Sequence, residues 1–139
     1  MKVLAVDFGR RRVGLAVGDS RTRVATPLPL VAAGDGRRLL DAILERVGEF
    51  DVQRIVVGHP LNMDGSRGPA CAAAERFAAA LRRRSGLPVD LVNEQLTSFA
   101  AEELAKEIER DFRRRKAFLD SVAAQLILET YFEQVGKKK

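Results

Sequence analysis

Asp7, Glu94 and Asp120 are the acidic residues of this 139-residue chain whose surroundings set them apart. Asp7 ends the apolar run Val3-Leu4-Ala5-Val6, and a carboxylate at the end of a buried strand is costly without a partner or a metal. Glu94 lies just past a second apolar run, within Leu91-Val92-Asn93-Glu94-Gln95-Leu96-Thr97-Ser98. Asp120 is embedded in Phe118-Leu119-Asp120-Ser121-Val122-Ala123-Ala124. Each has a plainer reading. Asp7 can open a turn by bonding the amides of Gly9 and Arg10, and Glu94 can be an exposed carboxylate favoured by the dipole of the next helix. Asp120 is an N-cap if its helix begins there; if the helix begins earlier, it is a charge on an apolar face, one turn from Ala123 and Ala124, and needs a cation. Brought to one end of a sheet, the three would hold Mg²⁺ or Mn²⁺, hard ions that take oxygen ligands and keep places for water and phosphate oxygens. Two such ions about 4 Å apart serve water attack on a phosphodiester.

The loop Gly58 to Pro69 is the second feature. Its glycines permit close backbone approach, and its end supplies amides at a helix N-terminus, a ready phosphate site. Asn62, Ser66 and Arg67 could hydrogen-bond a nucleic-acid backbone, while His59 is a substrate contact or a structural residue. A structural Ω-like loop is the plainer alternative. Basic clusters at Arg10 to Arg12 and Arg113 to Lys116 flank Asp7 and Asp120, where they could hold phosphates. Those at Arg82 to Arg84 suit a solvated helix end. The candidate substrate contacts are therefore Gly9, Arg10, Arg12, His59, Asn62, Ser66, Arg67, Thr97, Arg114 and Lys116.

The elements that must position these residues read as follows. Lys2 to Phe8 and Val13 to Gly18 are strands joined by a tight turn. A third strand, Arg23 to Val31, carries Pro27 and Pro29 and belongs at a sheet edge, because proline cannot donate to a ladder. Leu39, Leu40, Ile43, Leu44 and Val47 recur at helical spacing. Gln53 to Gly58 is a strand of the doubly buried kind. A helix follows over Ala70 to Arg84 and stops at Ser85-Gly86, then a short strand over Val89 to Val92. A helix capped by Thr97 or Ser98 buries Ala101, Leu104, Ala105 and Ile108, and a last one runs from about Phe118 to Gln134. This order predicts an α/β domain with a mixed five-stranded sheet: a three-strand antiparallel meander plus two parallel strands, flanked by helices. Ligands of such sheets bind beyond the carboxyl ends of the parallel strands, which selects Asp7 to Gly9, Gly58 to Pro60 and Asn93 to Gln95.

Composition narrows the class. The length fits one domain, expected over residues 1–136 with a basic tail at 137–139, and a core forms without staples. The single cysteine cannot close an intrachain disulfide, and the single histidine excludes zinc sites built from His and Cys clusters, which need several such ligands. No apolar run approaches the roughly 20 residues of a membrane span, so a cytoplasmic protein without a membrane partner is expected. Twenty-four basic against nineteen acidic residues give a net charge of +5, which suits a phosphate-rich partner. Eighteen arginines and nineteen alanines also fit biased genomic base composition, so charge alone does not decide. Few aromatics leave a base-stacking platform unsupported. A phosphate hairpin like that of actin-like ATPases fits Asp7 to Gly9, but that fold clamps nucleotide between two lobes and this chain supplies one.

Taken in order, four blocks make the chain resemble the YqgF family, the RuvX group of the RNase H-like superfamily, over nearly its whole length. They are Val6-Asp7-Phe8-Gly9 with Val13-Gly14-Leu15-Ala16; Val57 to Gly68; Glu94 with Leu96-Thr97-Ser98; and Lys116 with Asp120 and Ala123-Ala124. Leu61 to Ser66 is the most specific stretch. The resemblance implies an RNase H-like fold and a Mg²⁺- or Mn²⁺-dependent nuclease, with Asp7, Glu94 and Asp120 as the catalytic and metal-holding carboxylates. It further implies maturation of the 5′ end of precursor 16S rRNA in the bacterial cytoplasm, free or in a ribosomal particle, by a monomer or weak homodimer. The relatives also look like Holliday-junction resolvases, so branched DNA is the alternative substrate, and cutting it symmetrically requires a dimer. A third reading is a weakly or non-catalytic nucleic-acid-binding factor in ribosome assembly or transcription. Asn93 and Gln95 stand where the family usually reads Asp and Arg, and His59 where it usually reads Leu. Asn93 is expected to weaken metal binding without abolishing it.

Overall fold

The computed structural model describes residues 1–9, 12–59, 68–93 and 112–137, with the backbone alone described at 93, 112–121 and 136–137. Five strands form one sheet: β1 (Lys2–Asp7), β2 (Arg12–Asp19), β3 (Val24–Ala32), β4 (Arg54–His59) and β5 (Val89–Asn93). Three helices accompany them among the described residues: α1 (Gly36–Glu49), α2 (Pro69–Ser85) and α3 (Phe112–Lys137). The strand order is β3-β2-β1-β4-β5. β1, β2 and β3 pair antiparallel, whereas β4 is parallel to both β1 and β5, as the order of elements predicted.

Side-chain alternation along each strand sends apolar residues to two different cores. On β1, Leu4 and Val6 join Val13, Leu15, Ile55 and Val57 beneath α1 and α2. Val3 and Ala5 join Ala16, Val56 and Val92 beneath α3. β1 and β4 are therefore covered on both sides, and Ile55, Val56 and Val57 are all fully buried. Proline-bearing β3 is an edge strand, as expected from its missing donors. α1 is capped by Asp35, whose carboxylate accepts a 2.9 Å hydrogen bond from the Arg37 amide. α2 begins with Pro69 at its first turn and ends on Gly86 in the left-handed conformation, φ 71°.

The α3 side is lined by small residues, and the helix comes close. A Cβ added at Gly18 would collide with the Val24 carbonyl oxygen and lie 3.1 Å from Phe132 and 3.2 Å from Leu128. Gly18→Ala is expected to cost about 1–3 kcal/mol, because a backbone oxygen cannot yield as a flexible side chain can. A urea midpoint equal to that of the wild type would show that the β3 backbone at Val24 yields at no cost.

α3 departs from expectation at its start. It begins at Phe112, about a turn and a half before Phe118, so the basic stretch Arg113 to Lys116 lies inside the helix. The apolar stripe marks only the part that touches the sheet, while Arg and Lys extend a helix without help from packing. The expected helix over 98–108 falls outside the described residues.

Tyr131 of α3 is buried on the same side, and burial raises its phenol above the ordinary tyrosine value; nearby Asp90 adds to this and Arg54 opposes it. A raised value means that the folded state keeps the proton longer than the unfolded state. Its contribution is therefore full below the ordinary tyrosine range and lost as pH climbs through it toward the folded value. Stability should fall above about pH 10 in wild type and fall less steeply in Tyr131→Phe, as read by urea denaturation at stepped pH.

Candidate active site

Asp7 is the last residue of β1, half-buried, with Gly14 as its neighbour on β2. Alternation places it on the face of Val3 and Ala5, the one that α3 covers. The next residue, Phe8, points the other way and stacks on Phe77 of α2, with ring centroids 4.5 Å apart and planes at 14°. The backbone makes a close approach next to it: a Cβ at Gly9 would lie 2.6 Å from the Arg12 carbonyl oxygen. A cavity of about 270 Å³ opens here, lined by Phe8, Gly9, Pro69, Ala70 and Ala73, so the first turn of α2 adjoins the end of β1.

Asp120 lies more than two turns inside α3, which settles the alternative left open by its sequence: it is not an N-cap. Positions 120, 124, 127 and 131 recur at helical spacing, and Ala124, Ile127 and Tyr131 are buried against the sheet. Position 120 thus continues the sheet-facing stripe toward the start of the helix. Asp7 and position 120 belong to the same side of the sheet, on elements packed against each other. Glu94 follows Asn93, the last residue of β5, and lies outside the described residues with Arg10, Asn62, Ser66, Arg67 and Thr97.

Arg12 opens β2 directly after the turn at the end of β1. Arg114 and Lys116 lie in the opening turns of α3, where no acidic residue accompanies them. Cations there oppose the helix dipole, an arrangement that a bound anion relieves.

His59 ends β4, with Asn93 beside it on β5. Alternation with Ile55 and Val57 turns it to the α2 face, away from Asp7. Its Nε2 is 2.9 Å from Glu75 Oε2 and 2.6 Å from Cys71 Sγ. Cys71 and Glu75 were not singled out in the sequence; their i, i+4 spacing at the start of an alanine-rich helix was the available signal. One histidine and one cysteine are too few for a His–Cys zinc centre, but Glu75 adds a third donor atom beside them. The two sides of the sheet therefore differ in donor chemistry. The α3 side offers the carboxylate oxygen of Asp7 and the position of Asp120, and the α2 side offers imidazole, thiol and carboxylate together.

A larger cavity of about 510 Å³, lined by residues including Arg23, Val24, Glu129 and Glu133, lies elsewhere. Val24 pairs with Asp19, which pairs with Lys2, so this cavity sits at the opposite end of the sheet from Asp7.

The fold and the sequence both have counterparts among known proteins. In structure, the chain is similar to Thermus thermophilus RuvC in complex with a Holliday-junction substrate, with a TM-score of 0.61 and 19% identity over 98% of this chain and 96% of that one. It is also similar in fold to the Fowlpox virus resolvase bound to Holliday-junction DNA, with a TM-score of 0.55 and 12% identity over 97% and 99% of the two chains. In sequence it is 40% identical over 131 residues to a Chloroflexus aurantiacus protein named "Putative pre-16S rRNA nuclease", covering 94% of this chain and 86% of that protein. A protein of the same name from Opitutus terrae is 42% identical over 135 residues, 96% of this chain and 92% of its own. The family model RuvX, described as Holliday junction resolvase, matches residues 1–134. With a resolvase-type fold and a family match over almost its entire length, the chain belongs to the RuvX family of nucleases.

Proposed function

We propose that this chain is a divalent-metal-dependent nuclease that hydrolyses phosphodiester bonds in structured RNA, its substrate being the 5′ end of precursor 16S rRNA. The observation that carries the reading is the position of Asp7. It ends a fully covered strand on the face beneath α3, the helix that carries position 120 one turn before the buried Ala124. The name shared by the curated relatives supports the choice of RNA. Asp7, Glu94 and Asp120 would hold Mg²⁺ or Mn²⁺, and their oxygen-only donor set suits such hard ions. When bound, the ion supplies charge stabilisation at the scissile phosphate and eases attack by water.

The rest of the machinery belongs to the chain. Phe8, stacked on Phe77, fixes the main chain beside Asp7. Gly9 lets the backbone approach Arg12 closely there. Arg12, Arg114 and Lys116 are assigned to the substrate's phosphates, where they set register and affinity without reading sequence. Arg10, Asn62, Ser66, Arg67 and Thr97 complete the proposed substrate surface. Among the described residues no helix is long and apolar enough to cross a membrane, which is compatible with the cytoplasmic setting this substrate requires.

Single-turnover cleavage in Mg²⁺ or Mn²⁺ tests the reading, comparing a precursor 16S 5′-end RNA, an unstructured RNA and a four-way DNA junction. Preference for the precursor RNA is expected. Faster cutting of the junction would reassign the enzyme to branched DNA, and binding without cutting would make it an assembly factor. Asn93 ends β5 directly before Glu94. Asn93→Asp, which adds a carboxylate there, is expected to raise the single-turnover rate several-fold at limiting metal. A rate no higher than wild type would show that Asn93 imposes no such weakening.

A further inference from the structure

The cluster of His59, Cys71 and Glu75 calls for an account of its own, independent of the nuclease reading. All three ligand atoms lie within 4.8 Å of one another, and Cys71 is fully buried. Cys71 and Glu75 face the same way because they are four residues apart on α2, and the end of β4 delivers His59 to that face. Two ordinary explanations fail on geometry. A thiol–imidazole–carboxylate nucleophile needs the thiol and the carboxylate on opposite ring nitrogens, but here both approach Nε2. A hydrogen-bonded trio of neutral imidazole, thiol and carboxylate also falls short. Even with the Nε2 proton directed at Glu75 and the thiol donating to the same Oε2 at 3.7 Å, Sγ and Nε2 are left 2.6 Å apart, closer than an ordinary N–H···O bond although sulfur is the larger atom.

A cation that takes a lone pair from each atom at once satisfies all three. We infer that His59, Cys71 and Glu75 form a binding site for one tetrahedral, borderline-soft divalent cation of the zinc class, on the opposite side of the sheet from Asp7. Nitrogen, sulfur and oxygen are the donors zinc takes, and three protein ligands leave a fourth position for water or a substrate oxygen. The bond lengths usual for zinc put a nitrogen and a sulfur ligand about 3.5 Å apart. The Cys71–Glu75 separation of 3.7 Å is already close to that spacing, whereas the His59 ring and the thiol at 2.6 Å must part by just under 1 Å. Binding ties the end of β4 to the first turns of α2, beside the cavity at Gly9 and next to Asn93.

The test is titration of the full chain, stripped with a chelator, with Zn²⁺ and with Co²⁺ as a spectroscopic stand-in, in saturating Mg²⁺. One Zn²⁺ per chain is expected, with a rise in melting temperature. Co²⁺ should give tetrahedral visible bands and a thiolate-to-cobalt charge-transfer band, both displaced by Zn²⁺. Cys71→Ser should abolish the charge-transfer band. Glu75→Gln, at a partly exposed position where folding is not in question, should weaken Zn²⁺ binding more than about tenfold, since even outer partners of metal ligands cost ten- to a hundredfold. His59→Leu should do the same, with circular dichroism confirming the fold. Asp7→Asn should leave Zn²⁺ affinity unchanged. Absence of a thiolate–cobalt band in the folded wild type, or affinity lost in Asp7→Asn but kept in Glu75→Gln, would overturn the site.

Discussion

Asp7→Asn is expected to cut the precursor RNA at least about a thousandfold more slowly than wild type at saturating Mg²⁺, a loss of the size seen when a member of an interdependent catalytic set is removed. The substitution keeps the shape of the side chain and one oxygen but removes the charge that attracts a hard cation. Asp7 ends a strand whose preceding residues Val3 to Val6 are fully buried, so the backbone holding it has little freedom to compensate. Asp120→Asn should lose activity to a similar degree, and the double variant should be little slower than either single one, as expected if both carboxylates hold the proposed ion together. Single-turnover rates on identically purified proteins read this out, with circular dichroism confirming the fold. Equal residual cleavage in wild type and both variants would mean that the cutting comes from another protein and would remove the catalytic assignment.

Phe77→Ala carries the largest expected effect on stability, about 3–5 kcal/mol, as for other buried phenylalanines truncated to alanine. Against a total of about 5–15 kcal/mol for a domain, that is a large share. Phe77 lies in the core beneath α2 and stacks on Phe8, so truncation leaves a cavity and also frees the residue after Asp7. Cleavage by the fraction that stays folded should fall by about tenfold to a hundredfold, because a catalytic group displaced by about 1 Å loses its alignment. Phe77→Leu keeps most of the apolar volume and should cost less than about 1.5 kcal/mol. Urea denaturation gives the stability, and single-turnover rates well below the unfolding midpoint give the alignment effect. An unchanged rate at much reduced stability would show that Phe8 does not hold Asp7 in place.

Local order was set largely by short-range pattern. The apolar run Val3 to Val6, the doubly apolar Ile55-Val56-Val57, the prolines of β3 and Gly86 after α2 each act through neighbouring residues, so the strands, the sheet edge and the helix stop could be read directly. Asp7 was legible for the same reason, as a charge closing an apolar strand. Asp120 was legible as a candidate but not in its role, since that depends on where α3 begins. A helix end beyond the packed stripe leaves no apolar trace.

Tertiary structure alone decided which side of the sheet each group serves. The period of two makes Asp7 and Phe8 face opposite ways, but only the placement of α3 on one side and α2 on the other gives those directions chemical meaning. The meeting of His59 with Cys71 and Glu75 was hidden for a related reason. One residue ends a strand and two lie on a helix, twelve and sixteen positions onward, and their approach is set by how α2 packs against β4. Sequence determines which groups a short segment offers and with what spacing; the distance between groups on different segments is fixed by the packing of the cores between them.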